Sequence, residues 1–229
     1  MKKELALGIF LAVAFLIVLA VMLTPSFSGI NFIQYADSKF NQYSKHSSYF
    51  IPEITKNAEK YTGKSVALTV IFENEEDAEK AAKIYSQVAD VKLDGKSLTI
   101  RGDLGAIFSS VLKDADEAYW NNEKYFNMKY GMSAKETLYF WYVSLEDIAK
   151  SLEEDRRFDE SIFLETQIIT RVVEPAYNFY GIEPVPMDLV GVLLLVFYII
   201  YTLWWGFAIY YVLEGVGIKI TKAKARKEV

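Results

Sequence analysis

Cysteine is absent from the 229 residues, and histidine occurs once, at position 46. The first absence removes disulfides, thiolate nucleophiles, iron–sulfur ligation and covalent haem attachment. The second leaves too few ligands for zinc or iron sites of the usual His and Cys type. A Ser-His-Asp set would have to be built on His46, and no nucleophile elbow accompanies it, so a surface or interfacial histidine is expected. Glycine-rich loops of the Walker or dinucleotide type are missing. So is basic excess: residues 24–187 carry 26 acidic and 18 basic side chains, a net charge of −8 against −5 for the whole chain. That balance gives no electrostatic footprint for nucleic acid. These gaps leave no catalytic set, metal site or cofactor to assign, and a non-enzymatic role is expected.

Two long apolar runs stand out against this background. Leu5 to Leu23 is 19 residues long and follows Lys2 and Lys3; Leu189 to Leu213 is 25 residues long and precedes Lys219, Lys222, Lys224, Arg226 and Lys227. Each is long enough to cross a hydrocarbon core of ~30 Å at ~1.5 Å per residue. Lys and Arg accumulate on the cytoplasmic side, so both termini are predicted inside the cell (plasma or inner) membrane and residues 25–187 outside it. Ser26-Phe27-Ser28 offers a signal-peptide cleavage site as the competing reading of the first run. Its apolar stretch exceeds the ~7 to 15 residues of a signal core, which predicts that it is retained.

The chain divides as follows. Residues 1–4 form a cytoplasmic stub, 5–24 a first transmembrane helix, and 25–63 an aromatic-rich membrane-proximal segment with a short helix between Pro52 and Gly63. Residues 64–120 read as an α/β unit. Ser65 to Phe72 alternates but is apolar on both faces, which predicts a central strand. Asn74 and Asp103 are placed to cap helices, and Asp94-Gly95 marks a hairpin between two short strands. The resulting order, β-α-β-β-α, is a partial ferredoxin-like unit. Within it Arg101-Gly102-Asp103 joins a strand to a helix, Gly supplying the turn and Asp the cap. Asp114, Asp116 and Glu117 lack EF-hand spacing.

Residues 121–132 are predicted as a loop and 133–182 as an antiparallel helical hairpin opened by the capping box Ser133-Ala134-Lys135-Glu136. Leu138, Trp141, Leu145, Ile148 and Leu152 step by three and four along its first helix; Ile162, Ile169, Val172 and Val173 line the second, which Pro175 kinks or restarts. The fold class expected is therefore α+β with two transmembrane helices. A Pro-containing link, 183–188, leads into the second transmembrane helix, 189–214, and a basic tail, 215–229.

That second helix carries Tyr198, Tyr201, Trp204 and Trp205 at depths where lipid-facing helices have Leu, Ile and Val, while aromatic belts belong at the interfaces. Gly191, Tyr198, Thr202 and Gly206 share one stripe of small and weakly polar residues, the material of helix–helix contacts in lipid. Gly8 and Ala12 repeat the small-xxx-small pattern on the first helix. Tyr201, Trp204, Trp205 and Tyr211 form an aromatic membrane face, and Leu138, Trp141 and Leu145 are expected to meet a neighbour or their own sandwich. The function expected is that of a non-catalytic accessory or scaffold subunit whose partners are other integral membrane subunits or copies of itself, besides the bilayer.

Two flanking spans, an outer α/β unit, and Pro184 and Pro186 before the second span make an arrangement similar to that of polysaccharide co-polymerases. The resemblance implies a homo-oligomer that sets glycan chain length, although the outer helices are shorter than that family's. An outer-domain ligand sensor is the other alternative, and it calls for a pocket lined by Tyr85, Phe108, Tyr119 or Trp141.

Overall fold

The computed structural model describes residues 2–27 and 29–218. Ser28 of the cleavage site, and the tail bearing Lys219, Lys222, Lys224, Arg226 and Lys227, lie outside the described residues. The fold is mixed α+β and mostly helical, and it divides into two compact units. One is drawn from residues up to Tyr43 and from Pro186 onward; the other is Ser44–Val185.

The first unit contains α1, Lys2–Met22, most of α2, Phe32–Ser47, and α10, Leu189–Gly215. By length and composition α1 and α10 are long and apolar enough to cross a membrane. Their 21 and 27 residues correspond to about 31 and 40 Å. They run antiparallel, with Gly8 against Val212 and Gly215 against Leu5. Asn31 and Gln34 open α2 with a reciprocal capping box, each side chain accepting the other's backbone N–H at 2.9 and 3.1 Å.

The second unit begins with the end of α2 and with α3, Ile51–Ala58, which has Pro52 in its first turn. A 3₁₀ turn, Glu59–Tyr61, and Gly63 at φ +84° close that segment as the sequence predicts. The sheet follows: β1, Ser65–Ile71; β2, Ala89–Asp94; β3, Ser97–Asp103, in the order β1-β3-β2 with β3 antiparallel to both neighbours. Between β1 and β2 runs α4, Glu75–Tyr85, capped by Asn74; after β3 comes α5, Leu104–Tyr119, capped by Asp103. Both caps fall at the predicted residues.

Two details of the sheet differ from the prediction. The strand expected at its centre, β1, lies at an edge: Val66 and Val70 are buried, but Ile71 on the other face is 74% exposed. A short apolar run cannot separate edge from centre, because its Ala and Ile tolerate water on one side. The hairpin loop is Gly95-Lys96, since Asp94 pairs with Ser97, and Gly95 at φ +57° takes the first loop position.

The predicted loop 121–132 holds a helix, α6, Glu123–Tyr130, started by the Asn122 side chain and ended by Gly131 at φ +68°. The helical hairpin is present: α7, Ala134–Glu154, returns antiparallel through α8, Phe158–Phe163, a π-helical stretch, Leu164–Val173, and α9, Glu174–Asn178. Ser133 accepts the Glu136 N–H, whereas the Glu136 carboxylate pairs with Lys80 at 2.8 Å. In the return arm the inward pairs are Leu164, Ile168/Ile169 and Val172/Val173, four to five residues apart as wide π turns require. Ile162, placed inside by a 3.6-residue period, is exposed for that reason.

Candidate functional site

In the first unit, a Cβ on Gly8 would stand 2.5 Å from the Val212 nitrogen, and one on Gly215 would stand 2.5 Å from the Leu5 Cα. The two helix backbones therefore touch at this end, which only glycine permits. Ala12 is partly buried one turn further along α1. Trp204 donates its indole N–H to the Leu11 carbonyl at 3.1 Å, and Phe15 stacks on Tyr201 at 4.1 Å and lies 4.6 Å from Trp205. Leu194 and Ala208 are buried on the same side of α10. The aromatic face read from the sequence thus lies largely against the chain's own α1. Among the described residues, the Tyr201 hydroxyl is the one buried side-chain polar atom with no hydrogen-bond partner. Tyr211 joins Leu11, Ile200, Leu203, Trp204 and Phe207 around an apolar groove of about 500 Å³.

The stripe Gly191, Tyr198, Thr202, Gly206 splits into two. Gly191 is buried: a Cβ there would run into the Met187 sulfur and stand 2.7 Å from the Tyr43 ring. This close approach lets the Tyr43 hydroxyl reach Asp188, the N-cap of α10, at 2.7 Å. The bond holds Tyr43 in its neutral form, with its ionisation pushed up to about 12, and holds the Asp188 carboxyl below its usual range. The rest of the stripe points outward. Tyr198 is 65% exposed, Thr202 and Gly206 are exposed, and no atom lies within 4 Å of a Cβ placed on Gly206.

In the second unit, Leu138, Trp141 and Leu145 are fully buried in the unit's own core. Tyr85 and Phe108, two of the residues a sensor pocket would need, are enclosed as well. The Tyr85 ring lies 4.8 Å from that of Trp141, and its hydroxyl shares a 2.7 Å hydrogen bond with Ser144. His46 is exposed on α2.

Sequence reasoning passed over a polar centre beside Trp141. Asp114 is fully buried and accepts four hydrogen bonds: Tyr125 and Lys129 at 2.8 Å on Oδ1, Tyr130 at 2.7 Å and the Trp141 indole at 2.8 Å on Oδ2. Burial, and then the carboxylate itself, push the Tyr125 and Tyr130 hydroxyls well above the ordinary phenol range. With four donors in place, the carboxylate is satisfied as a structural group. Tyr49 likewise donates to Asp116 and Asn122 to Glu117, so donors already occupy this acidic run. Among the described residues no group of three or more His, Cys, Asp or Glu is placed to hold a metal ion. The only signal in the sequence was the Tyr125/Lys129 spacing of one helical turn, inside a segment read as loop.

Lys45 is also buried. Its ammonium donates to the Ile182 carbonyl at 2.6 Å and to Asn121 Oδ1 at 3.0 Å, and Asn121 in turn bonds Gly181 and Ile182. Asn121 takes φ +57°, a left-handed conformation that Asn tolerates better than most residues. Burial draws the Lys45 ammonium down to about 8.

No family model matches the chain, and no curated protein or solved structure matches it.

Proposed function

We propose that the chain is a two-pass membrane protein, with both termini cytoplasmic and an outer α+β unit, that serves as a non-catalytic accessory or scaffold subunit of a larger membrane complex. The observation that carries this reading is the contrast among its helix glycines. Gly8, Gly191 and Gly215 are each packed against another part of the first unit, whereas Gly206 faces open space between Thr202 and Ile209. In a bilayer an exposed helix face meets lipid or another helix. A bare backbone at Gly206, on one stripe with the exposed Thr202 and Tyr198 hydroxyls, favours the helix, through close backbone approach and interhelical hydrogen bonds. The docking surface is therefore Tyr198, Thr202, Gly206 and Ile209, and the partner is an integral membrane subunit.

The β1-β3-β2 order supports reading residues 64–120 as a partial ferredoxin-like unit that lacks the strand beside β1. That scaffold implies no reaction. Extraction of the full chain from its own membrane in a mild detergent, followed by native mass spectrometry, tests the proposal. Co-purifying membrane subunits of different sequence are expected. A homo-oligomeric ring would favour the arrangement of the polysaccharide co-polymerases, and a lone monomer would overturn both.

A further inference from the structure

Between α7 and the returning π-helix and α9 lies an open groove of about 380 Å³ lined by Tyr139, Tyr142, Val173, Glu174, Tyr177 and Asn178. Two facing stripes build it. Tyr139 and Tyr142 are three apart on α7, and Glu174, Tyr177 and Asn178 are three and four apart on α9, so each set shares one helix face. The wide turns of Leu164–Val173 end at the groove, and Glu174 still donates its N–H five residues back, to Ile169.

The lining has a definite chemistry. Three tyrosines, whose rings have electron-rich faces, and one carboxylate line it. Glu146, one helical turn from Tyr142 on α7, adds a second negative charge, and together with Glu174 it raises the ionisation of that phenol. One ring already engages a cation, since the Lys135 ammonium lies 5.2 Å from the Tyr177 centroid. A neutral apolar occupant would strip water from Glu174 without replacing it. A quaternary ammonium carries the compensating charge, has no N–H groups that need acceptors, and is the type of cation that aromatic rings bind.

We propose that this groove is a binding site for a small organic cation of the quaternary-ammonium class, its alkyl groups against Tyr139, Tyr142 and Tyr177 and its charge facing Glu174. The proposal is independent of the docking role of α10. It is tested on the full chain in a maltoside detergent by saturation-transfer NMR titration with tetramethylammonium. Tert-butanol serves as the uncharged control of similar shape and guanidinium as the planar, hydrogen-bonding cation. Saturable binding in the millimolar range is expected, at least tenfold weaker for both comparison molecules. Tyr177→Leu and Glu174→Gln should each weaken tetramethylammonium at least tenfold. Tyr139→Leu, at a half-exposed position outside the core, provides a third variant in which folding is not at issue. Non-saturable binding, equal binding of tert-butanol, tighter binding of guanidinium, or unchanged affinity in folded variants would overturn it.

Discussion

The hydroxyl of Tyr43 donates to Oδ1 of Asp188 at 2.7 Å, and the same oxygen accepts the Gly191 N–H at 3.0 Å that opens α10. One carboxylate oxygen thus both caps the helix and anchors a residue 145 positions earlier in the chain. The geometry depends on Gly191, because the Tyr43 ring lies where a side chain would be.

Gly191→Val is therefore expected to displace the Tyr43 ring and break its bond to Asp188. The Tyr43 ionisation should fall from about 12 toward the ordinary value of about 10, read by ultraviolet difference titration against the same chain carrying Tyr43→Phe. An unchanged titration would refute the dependence. The pH limits of the bond follow from its two partners. Asp188 is depressed, so its contribution to stability is present above the ordinary carboxyl value near 3.9 and is lost as pH falls through the lower folded value. Tyr43 is raised, so its contribution is present below about 10 and is lost as pH rises toward 12.

Asp114 gathers Tyr125, Lys129, Tyr130 and Trp141 from two helices onto one carboxylate. Asp114→Leu removes the acceptor and leaves the Tyr130 and Trp141 donors buried beside Lys129. The expected loss is about 3 to 5 kcal/mol, the range for breaking one side of a buried charged network. Tyr130→Phe removes one bond to a charged group and should cost about 1.5 to 3 kcal/mol. Urea unfolding of the full chain followed by tryptophan fluorescence measures both. A loss below 1 kcal/mol for Asp114→Leu would show that the network does not hold the second unit together.

Burial of Lys45 sets a pH dependence of the opposite sense to that of Tyr43. Its folded value is near 8, whereas the unfolded chain keeps the proton up to the ordinary value near 10.4. Between these values the unfolded state binds more protons, so stability rises with pH. A neutral amine keeps two N–H groups, enough for the bonds to Ile182 and Asn121. The rise should appear between pH 8 and about 9.5 as the difference in unfolding midpoint between the unaltered chain and Lys45→Met. Parallel midpoints across that window would contradict the assignment.

The parts of this fold that were legible in the sequence rest on local chemistry. Asn74, Asp103 and Ser133 cap the helices expected of them, Gly63 and Gly95 adopt the positive φ expected of turn glycines, and the long apolar runs are the two longest apolar helices. What escaped is non-local or breaks the usual period. The α6 helix is eight residues long with only Phe126 and Tyr130 buried, too short to show periodicity. The π-helical stretch buries residues at four- to five-residue intervals, which a 3.6-residue template misassigns at Ile162. The edge position of β1 follows from β3 pairing with both other strands and taking the centre, and that is a tertiary choice. The candidate surface was legible as a stripe. The division of labour within it was not, because Gly191 is enclosed by Tyr43 of a distant segment, whereas Gly206 has no such neighbour in the chain.

The most direct test of the docking reading compares Gly206→Leu with Gly8→Leu in the full chain. A Cβ at Gly8 meets the α10 backbone, whereas one at Gly206 has no atom of the chain within 4 Å. Gly8→Leu should therefore lower the thermal unfolding midpoint of the detergent-purified chain. Gly206→Leu should leave that midpoint unchanged and reduce co-purification of membrane partners severalfold. Undiminished co-purification with Gly206→Leu would contradict the account.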